Sequence, residues 1–179
     1  MLDALVARVE AAPPRCGATK LVCIDGPSAA GKSELAASLA AALGDPPVVA
    51  PMVSMDELYP GWDGLAAGVA RLLAEVVAPL AAGQQAGYRR WDWSRNSYGV
   101  RRNLGVPPLL VVEGVGAGAV PGIALLIWLD APEDVRYRRA MARDGATYAP
   151  HWARWAAQEQ AHFAADRTAD RADVRITTG

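Results

Sequence analysis

The apolar residues of this 179-residue chain fall into blocks with two different periods. Leu2, Leu5, Val6 and Val9 recur at helical spacing, which predicts a short amphipathic helix over 3–11, ended by Pro13-Pro14. Lys20 to Asp25 is a compact apolar run, the pattern of a strand buried on both faces. Leu109 to Val112, closed by Glu113-Gly114, and Ile123 to Asp130 repeat that pattern, and Ala172 to Thr177 predicts a final short strand. Val48 to Met55 is also β-rich but carries Pro51, which weakens the case for a second strand there. Helical spacing covers Glu34 to Leu43 (closed by Gly44), Leu65 to Leu80, Pro132 to Arg143 and His151 to Arg167. Pro132 stands at a helix start, where its missing N–H costs nothing. Residues 56–64 predict a loop, and 88–102 shows little periodicity. Strands that alternate with helices predict an α/β fold of three layers, a parallel sheet with helices on both faces. With no repeat or linker, residues 1–179 are expected to form a single domain.

Composition narrows the classes of function. Hydrophobic residues make up 52% of the chain and charged ones 21%, with a net charge of −1. That suits a packed core and excludes disorder as the dominant state. It also lacks the basic footprint expected of a nucleic-acid partner. Cys16 and Cys23 have neither zinc nor disulfide spacing. The longest apolar run, Ile123 to Leu129, is strand-sized, so no membrane partner is expected. The first residues lack the pattern of a signal peptide, which makes the cytoplasm the expected compartment. The sequence leaves homo-oligomerisation open.

The sharpest chemical signal is Gly26-Pro27-Ser28-Ala29-Ala30-Gly31-Lys32-Ser33, a complete match to G-x-x-x-x-G-K-[ST] between a predicted strand and a helix opening at Glu34. Glycines let successive backbone N–H groups turn toward phosphate oxygens, and the helix adds its positive end. Lys32 would reach the β- and γ-phosphates, and the Ser33 hydroxyl would ligate Mg²⁺. The expectation is a P-loop NTPase fold with ATP and Mg²⁺ as cofactors; the motif does not specify what receives the phosphate.

Three acids end apolar runs, where the ligand crevice of a parallel sheet lies: Asp25, Asp56 and Glu113. Glu113 sits where an acid would hold Mg²⁺ or its waters. Asp56 follows the second strand, where a carboxylate can take the proton of an acceptor hydroxyl. Asp25 precedes the loop and is expected to fix its backbone. Arg136, Arg139 and Arg143 share one helical face and form an anion clamp, while Arg138 pairs with Asp134. Tyr59, Trp62, Asp63, Tyr88, Trp93 and Arg95 supply flat rings and hydrogen-bonding groups for a ring-bearing ligand. Residues 88–102 read equally as an exposed hairpin whose rings pack on the core. His151, Trp152 and Trp155 lie at helical spacing and are expected to pack, and His162 carries no signal.

Taken in order, these stretches resemble the uridine kinase family of P-loop phosphotransferases. The phosphate loop Gly26 to Ser33 comes first. Met55-Asp56-Glu57-Leu58-Tyr59 is similar to the family's Asp-x-Phe-Tyr, and Tyr88 with Trp93-Ser94-Arg95 to its Tyr-Asp-Phe…His-Ser-Arg segment. Val111-Val112-Glu113-Gly114 is similar to its Glu-Gly strand end. Arg136, Arg139 and Arg143-Asp144 fall on its lid pattern, and Arg171 to Gly179 on its closing strand. Trp93 stands where the family has a base-contacting His, and Arg89-Arg90 where it has Asp-Phe. The resemblance implies ATP-dependent phosphorylation of a small-molecule hydroxyl, most simply on a pyrimidine nucleoside. Asp56 would be the catalytic base and 136–147 a helical, arginine-bearing lid; 56–64 and 88–103 would shape the acceptor site. A nucleoside monophosphate or other small hydroxyl compound as acceptor, and a regulatory nucleotide-binding ATPase, stay open as alternatives.

Overall fold

The computed structural model describes residues 1–44 and 49–179. Five strands form a parallel sheet: β1 (Lys20–Asp25), β2 (Met52–Ser54), β5 (Leu109–Glu113), β6 (Ile123–Asp130) and β7 (Val174–Thr177), in the order β2-β5-β1-β6-β7. Side chains alternate between the two faces, and both faces are covered. Leu21, Cys23, Leu110, Val112 and Leu126 belong to one buried cluster, whereas Val22, Ile24, Val111, Leu125 and Ile127 belong to the other. A strand with two apolar neighbourhoods has no polar side to show, so these strands read as unbroken apolar runs.

Helices α1 (Leu2–Ala11) and α2 (Lys32–Leu43) cover the second cluster through Leu5, Val9, Leu35 and Leu39. The first lies under α3 (Leu65–Arg71), a π-helical segment (Leu72–Val77), α4 (Ala78–Ala81) and α6 (Trp152–Asp166). The helix expected over 65–80 is thus three segments. Pro79 has no N–H to continue the ladder, and a π turn, with its wider hydrogen bonding, precedes it. Pro132 caps α5 (Glu133–Asp144) rather than opening it, and α7 (Thr168–Arg171) follows Arg167, a left-handed cap. No helix among the described residues is long and apolar enough to cross a membrane.

Two stretches with weak sequence signals take definite form. Pro51 confines the β-rich stretch 48–55 to a three-residue edge strand, followed by a 3-10 turn (Met55–Glu57); Val48 lies outside the described residues. Residues 88–102, which show no periodicity, belong to an antiparallel hairpin of β3 (Ala86–Asp92) and β4 (Ser97–Gly105). Much of this ribbon faces solvent on both sides, so no apolar alternation marks it. Asp92 builds its turn by accepting the Ser94 and Arg95 N–H groups, and Asn96 takes positive φ.

One buried carboxylate ties the sheet's central loops together. Asp25, at the end of β1, accepts the N–H groups of Gly26 (2.7 Å) and Gly116 (2.9 Å) on Oδ1 and that of Gly118 (2.8 Å) on Oδ2. Burial pushes its carboxyl up to about 6, against the pull of those donors and of Lys32, so at neutral pH it is an anion. Gly26 has φ of 140°, and a Cβ there would stand 1.9 Å from the Leu129 carbonyl oxygen, so only glycine lets the chain turn so close to β6. Asp25→Ala leaves three buried N–H groups without an acceptor, at about 1–3 kcal/mol each. A loss of at least about 3 kcal/mol of unfolding free energy in urea is expected. A midpoint within experimental error of the parent would show that the carboxylate does not hold these loops.

Candidate active site

The phosphate loop runs from β1 into α2. Of its backbone donors, Gly26 N–H goes to Asp25, Ser28 N–H to Glu159 (2.9 Å) and Ala30 N–H to the Pro27 carbonyl (3.4 Å); proline has none. The N–H groups of Ala29, Gly31, Lys32 and Ser33 have no protein acceptor among the described residues. Gly31 caps α2 in a left-handed conformation, and no side chain caps that helix. Ala29 is also left-handed, with φ of 63°, which costs a non-glycine residue on the order of 1 kcal/mol. The strained loop therefore offers four free donors and an uncapped helix end, a cradle for an anion. The Lys32 ammonium rests on the Pro27 carbonyl at 2.8 Å and forms no ion pair among the described residues.

This cradle floors a cavity of about 330 Å³ whose walls include Asp56, Glu113, Arg139 and Arg143. The Ser33 hydroxyl donates to Glu113 at 3.1 Å. A hydroxyl and one carboxylate are hard oxygen donors, and the described residues hold no cluster of three metal-ligating side chains. That set fits Mg²⁺, which keeps several waters and takes few protein ligands beside phosphate oxygens.

A second cavity of about 590 Å³ opens beside the first. Five rings line it: Tyr59, Trp62, Trp93, Tyr148 and Trp155. Trp62 stacks on His151 (4.3 Å, 16°) and Tyr148 (5.3 Å, 14°) and leans on Trp93 (4.9 Å). Trp155 meets Tyr59 edge-on, and the Tyr59 hydroxyl donates to the Val115 carbonyl at 2.6 Å. Ser28, Asp56 and Arg143 line both cavities. Asp56 is open to solvent in the cleft, but the surrounding walls limit its hydration and raise its carboxyl above the ordinary value. The Glu113 charge adds to the rise, and Lys32 and Arg143 oppose it.

The remaining expected residues divide. Arg139 lines the phosphate-loop cavity and bonds to Thr178 (2.9 Å) and the Gly179 carbonyl. Arg143 pairs with Asp144 at 2.7 Å. Arg136 lies beside the loop but does not line its cavity; it donates to the Ala131 and Ser28 carbonyls. Arg138 pairs with Asp134. Glu34 edges the phosphate-loop cavity, and Trp93 lines the aromatic one while its indole N–H donates to the Asp56 carbonyl at 2.9 Å.

Asp63, Tyr88 and Arg95 do not join the aromatic cavity. Asp63 is exposed and pairs with Arg154 (3.0 Å). Arg95 is exposed on the hairpin turn beside Asp92. Tyr88 is buried, with its hydroxyl donating to Glu57, which also receives Arg90 (2.9 Å) and Arg102 (3.3 Å). Tyr148 and Glu159 carry no motif, and Trp155, expected to pack, does so while forming a cavity wall. Trp155 and Glu159 stand four residues apart on one helical face, a pairing that only the position of α6 over the loop makes meaningful.

No family model matches this sequence. No curated protein matches it either. Solved structures do match. A Bacillus stearothermophilus protein described as a possible uridine kinase superposes with a TM-score of 0.70 at 20% identity, over 98% of this chain and 96% of that one. A Silicibacter sp. TM1040 protein provisionally described as a fructose transport system kinase gives 0.57 at 21% identity, over 100% and 99%. The chain shares their fold. What this P-loop fold does here must be argued from its side chains.

Two outcomes test the site. Glu113→Gln removes the carboxylate beside Ser33 and should raise the Mg²⁺ concentration needed for half-maximal nucleotide binding about tenfold; an unchanged Mg²⁺ dependence in calorimetry would exclude Glu113 from the metal site. Asp25 and Asp56 both titrate above the ordinary range, and the roles expected of them, loop anchor and general base, each call for an anion. Protonation weakens one as an acceptor of loop N–H groups and removes the other as a base. Nucleotide turnover should therefore fall as pH drops through about 6, and a rate flat down to about pH 4 would contradict both assignments.

Proposed function

We propose that the protein is a kinase that moves the γ-phosphoryl group of ATP to a hydroxyl of a small, uncharged, ring-bearing acceptor, a pyrimidine nucleoside in the first instance. One observation carries the reading: Asp56 lies on the wall shared by the phosphate-loop cavity and the aromatic cavity. A group in that position can touch an acceptor on one side while the transferred phosphoryl group sits on the other.

Ala29, Gly31, Lys32 and Ser33 hold the phosphates through their N–H groups, and the Lys32 ammonium leaves the Pro27 carbonyl to reach them. Ser33 and Glu113 would hold Mg²⁺, which would neutralise charge on the phosphate oxygens. Asp56 accepts the acceptor's hydroxyl proton as that oxygen bonds to phosphorus and the bridging P–O bond breaks toward the nucleoside diphosphate. Arg139 and Arg143 place positive charge beside the transferred group, and residues 136–147 act as the lid that keeps water out. Arg136 braces the lid through Ser28. A third cavity, of about 430 Å³, shares Gly31, Glu34 and Arg139 with the phosphate-loop cavity; apolar groups such as Leu35 and Leu129 and the hydroxyls of Ser38 and Thr178 complete its lining, which suits the donor's base.

Charge in the aromatic cavity favours an uncharged acceptor over a phosphate ester. Its one arginine, Arg143, is paired with Asp144. Arg89 is spent on the Gly99 and Tyr98 carbonyls, Arg90 on Glu57 and Arg95 on Asp92. Among the described residues no free cation on this wall waits for a second phosphate. Stacked rings suit the face of a nucleobase or a sugar, and the names of the two solved structures include both a nucleoside and a sugar kinase.

The test is ADP release from Mg·ATP against nucleosides, sugars and nucleoside monophosphates, with an acceptor-free control. Turnover by a nucleoside or sugar and none by monophosphates is expected; slow hydrolysis indifferent to every acceptor would reject the proposal. With the acceptor in hand, Asp56→Asn should lower kcat by about a hundredfold or more while the affinity for a non-hydrolysable ATP analogue holds. A loss under about tenfold would exclude Asp56 as the base.

A further inference from the structure

Glu159 is a carboxylate 4% exposed that neither phosphate binding nor proton transfer uses. It has no cation partner among the described residues. Its Oε1 accepts three donors: the Ser28 N–H (2.9 Å), the Ser28 hydroxyl (2.5 Å) and the Trp155 indole N–H (2.8 Å). The same indole N–H also lies 2.9 Å from the Ser28 hydroxyl oxygen. Ser28 belongs to the phosphate loop and lines both cavities; Trp155 lines only the aromatic one. A single buried oxygen thus joins the floor of one cavity to the wall of the other.

The choice of a carboxylate for this place has physical consequences. Taking a charge out of water without an ion pair is costly, and only strong, well-placed donors offset it. Displacing Trp155 or turning Ser28 therefore leaves a buried anion short of donors. Neither partner moves independently, because each needs the other to satisfy the shared oxygen. Arg136 adds a strut from α5 to the Ser28 carbonyl (3.4 Å), and Tyr59 presses edge-on against the Trp155 ring. Ser28 is followed by the strained Ala29, whose N–H is among the free donors, so the setting of Ser28 bears directly on the cradle.

We infer that Glu159 is a positioning residue that couples the aromatic cavity to the phosphate loop, so that the state of the Trp155 wall changes the loop's affinity for nucleotide. The coupling rests on the reading that the loop binds a nucleoside triphosphate; it does not depend on which acceptor is used.

A double-mutant cycle read by calorimetry tests it, with Mg²⁺ and a non-hydrolysable ATP analogue as the probe. Trp155→Phe keeps the ring in the wall but removes its N–H. Glu159→Met fills similar space without an acceptor, and Glu159→Gln keeps an oxygen for Ser28 and Trp155. Trp155→Phe alone should raise the analogue's Kd about fivefold, although Trp155 does not line the phosphate-loop cavity. In the Glu159→Met background the same change should shift Kd less than about twofold, and Glu159→Gln should restore most of the parent's affinity. A purely structural role would lower Tm without this non-additivity. Effects of Trp155→Phe and Glu159→Met that simply multiply, or parent affinity in folded Trp155→Phe, would overturn the inference. If Glu159→Met does not fold, Trp155→Phe in the parent and Glu159→Gln backgrounds decides it: parent affinity overturns the coupling, and a raised Kd in both supports it. Failure of the parent itself to bind the analogue would reject the nucleotide reading instead.

Discussion

The geometry of the cleft depends on a buried anion at the end of the central strand. Asp25 gathers N–H groups from two separate loops, Gly26 on its own chain path and Gly116 and Gly118 after β5. A parallel sheet leaves its strand ends free to splay, because crossover connections impose no turn geometry on them. Here one carboxylate fixes both loops to a common point, and so sets the distance between the phosphate loop and the strand end that carries Glu113. The cost of keeping a charge away from water is met by hydrogen bonds that would otherwise have no acceptor. Removing the carboxylate therefore damages both sides of the account at once.

From that point the polar groups sort themselves by commitment. Three loop N–H groups are used inside the protein, and four are left facing the cavity. Asp25, Asp56 and Glu113 gather around Lys32; restricted hydration makes Asp25 and Asp56 hold their protons more tightly than free carboxylates, with the Glu113 charge adding to the effect on Asp56 and Lys32 opposing it at both. A cleft so arranged has unmet demand for both kinds of charge, anions at the donors and a cation among the acids. Bound phosphates with a divalent cation would answer both demands together. The strain at Ala29 belongs to the same logic, since a relaxed loop would not aim successive N–H groups inward.

The sheet and the phosphate loop were legible in the sequence because each leaves a local trace. Strands buried on two faces must be apolar throughout, and a loop that wraps an anion must have glycines where Gly26 and Gly31 stand. The hairpin was only one of two readings of residues 88–102, because a ribbon largely wet on both sides shows no apolar alternation. Tyr88, Asp63 and Arg95 looked like ligand-binding residues by composition, but side-chain type does not reveal direction: one is buried on Glu57 and two face solvent. Tyr148 and Glu159 stayed invisible for the opposite reason. Each has a near partner in the chain, Trp155 beside Glu159 and Trp152 beside Tyr148, but their role in the cleft comes from Ser28 and Trp62, more than 80 residues away, which no local spacing announces.

The arginine-rich, aromatic stretch finds its place as a buttress. Glu57, beside Asp56, is held by Tyr88, Arg90 and Arg102 of the hairpin, and the Asp56 carbonyl is held by Trp93. Arg71 adds bonds to the Leu58 and Arg89 carbonyls. The 3-10 turn bearing Asp56 is thus clamped to a ribbon that itself borders the aromatic cavity. Two parts of the cleft consequently differ in how freely they can change. The phosphate side depends on backbone N–H groups and a buried anion, which few substitutions spare. The aromatic side is built from ring faces supplied by the loop after the turn, the hairpin and α6 with its preceding turns, and a ring can be exchanged for another ring without unsatisfying a buried polar group. Three rings on that wall are exceptions, because their polar groups are committed: the Tyr59 hydroxyl to the Val115 carbonyl, the Trp93 N–H to the Asp56 carbonyl, and the Trp155 N–H to Glu159 and Ser28. The shape of the aromatic cavity can therefore change through Trp62 and Tyr148 while the phosphate loop stays in place, and Trp155 is where the two sides constrain each other.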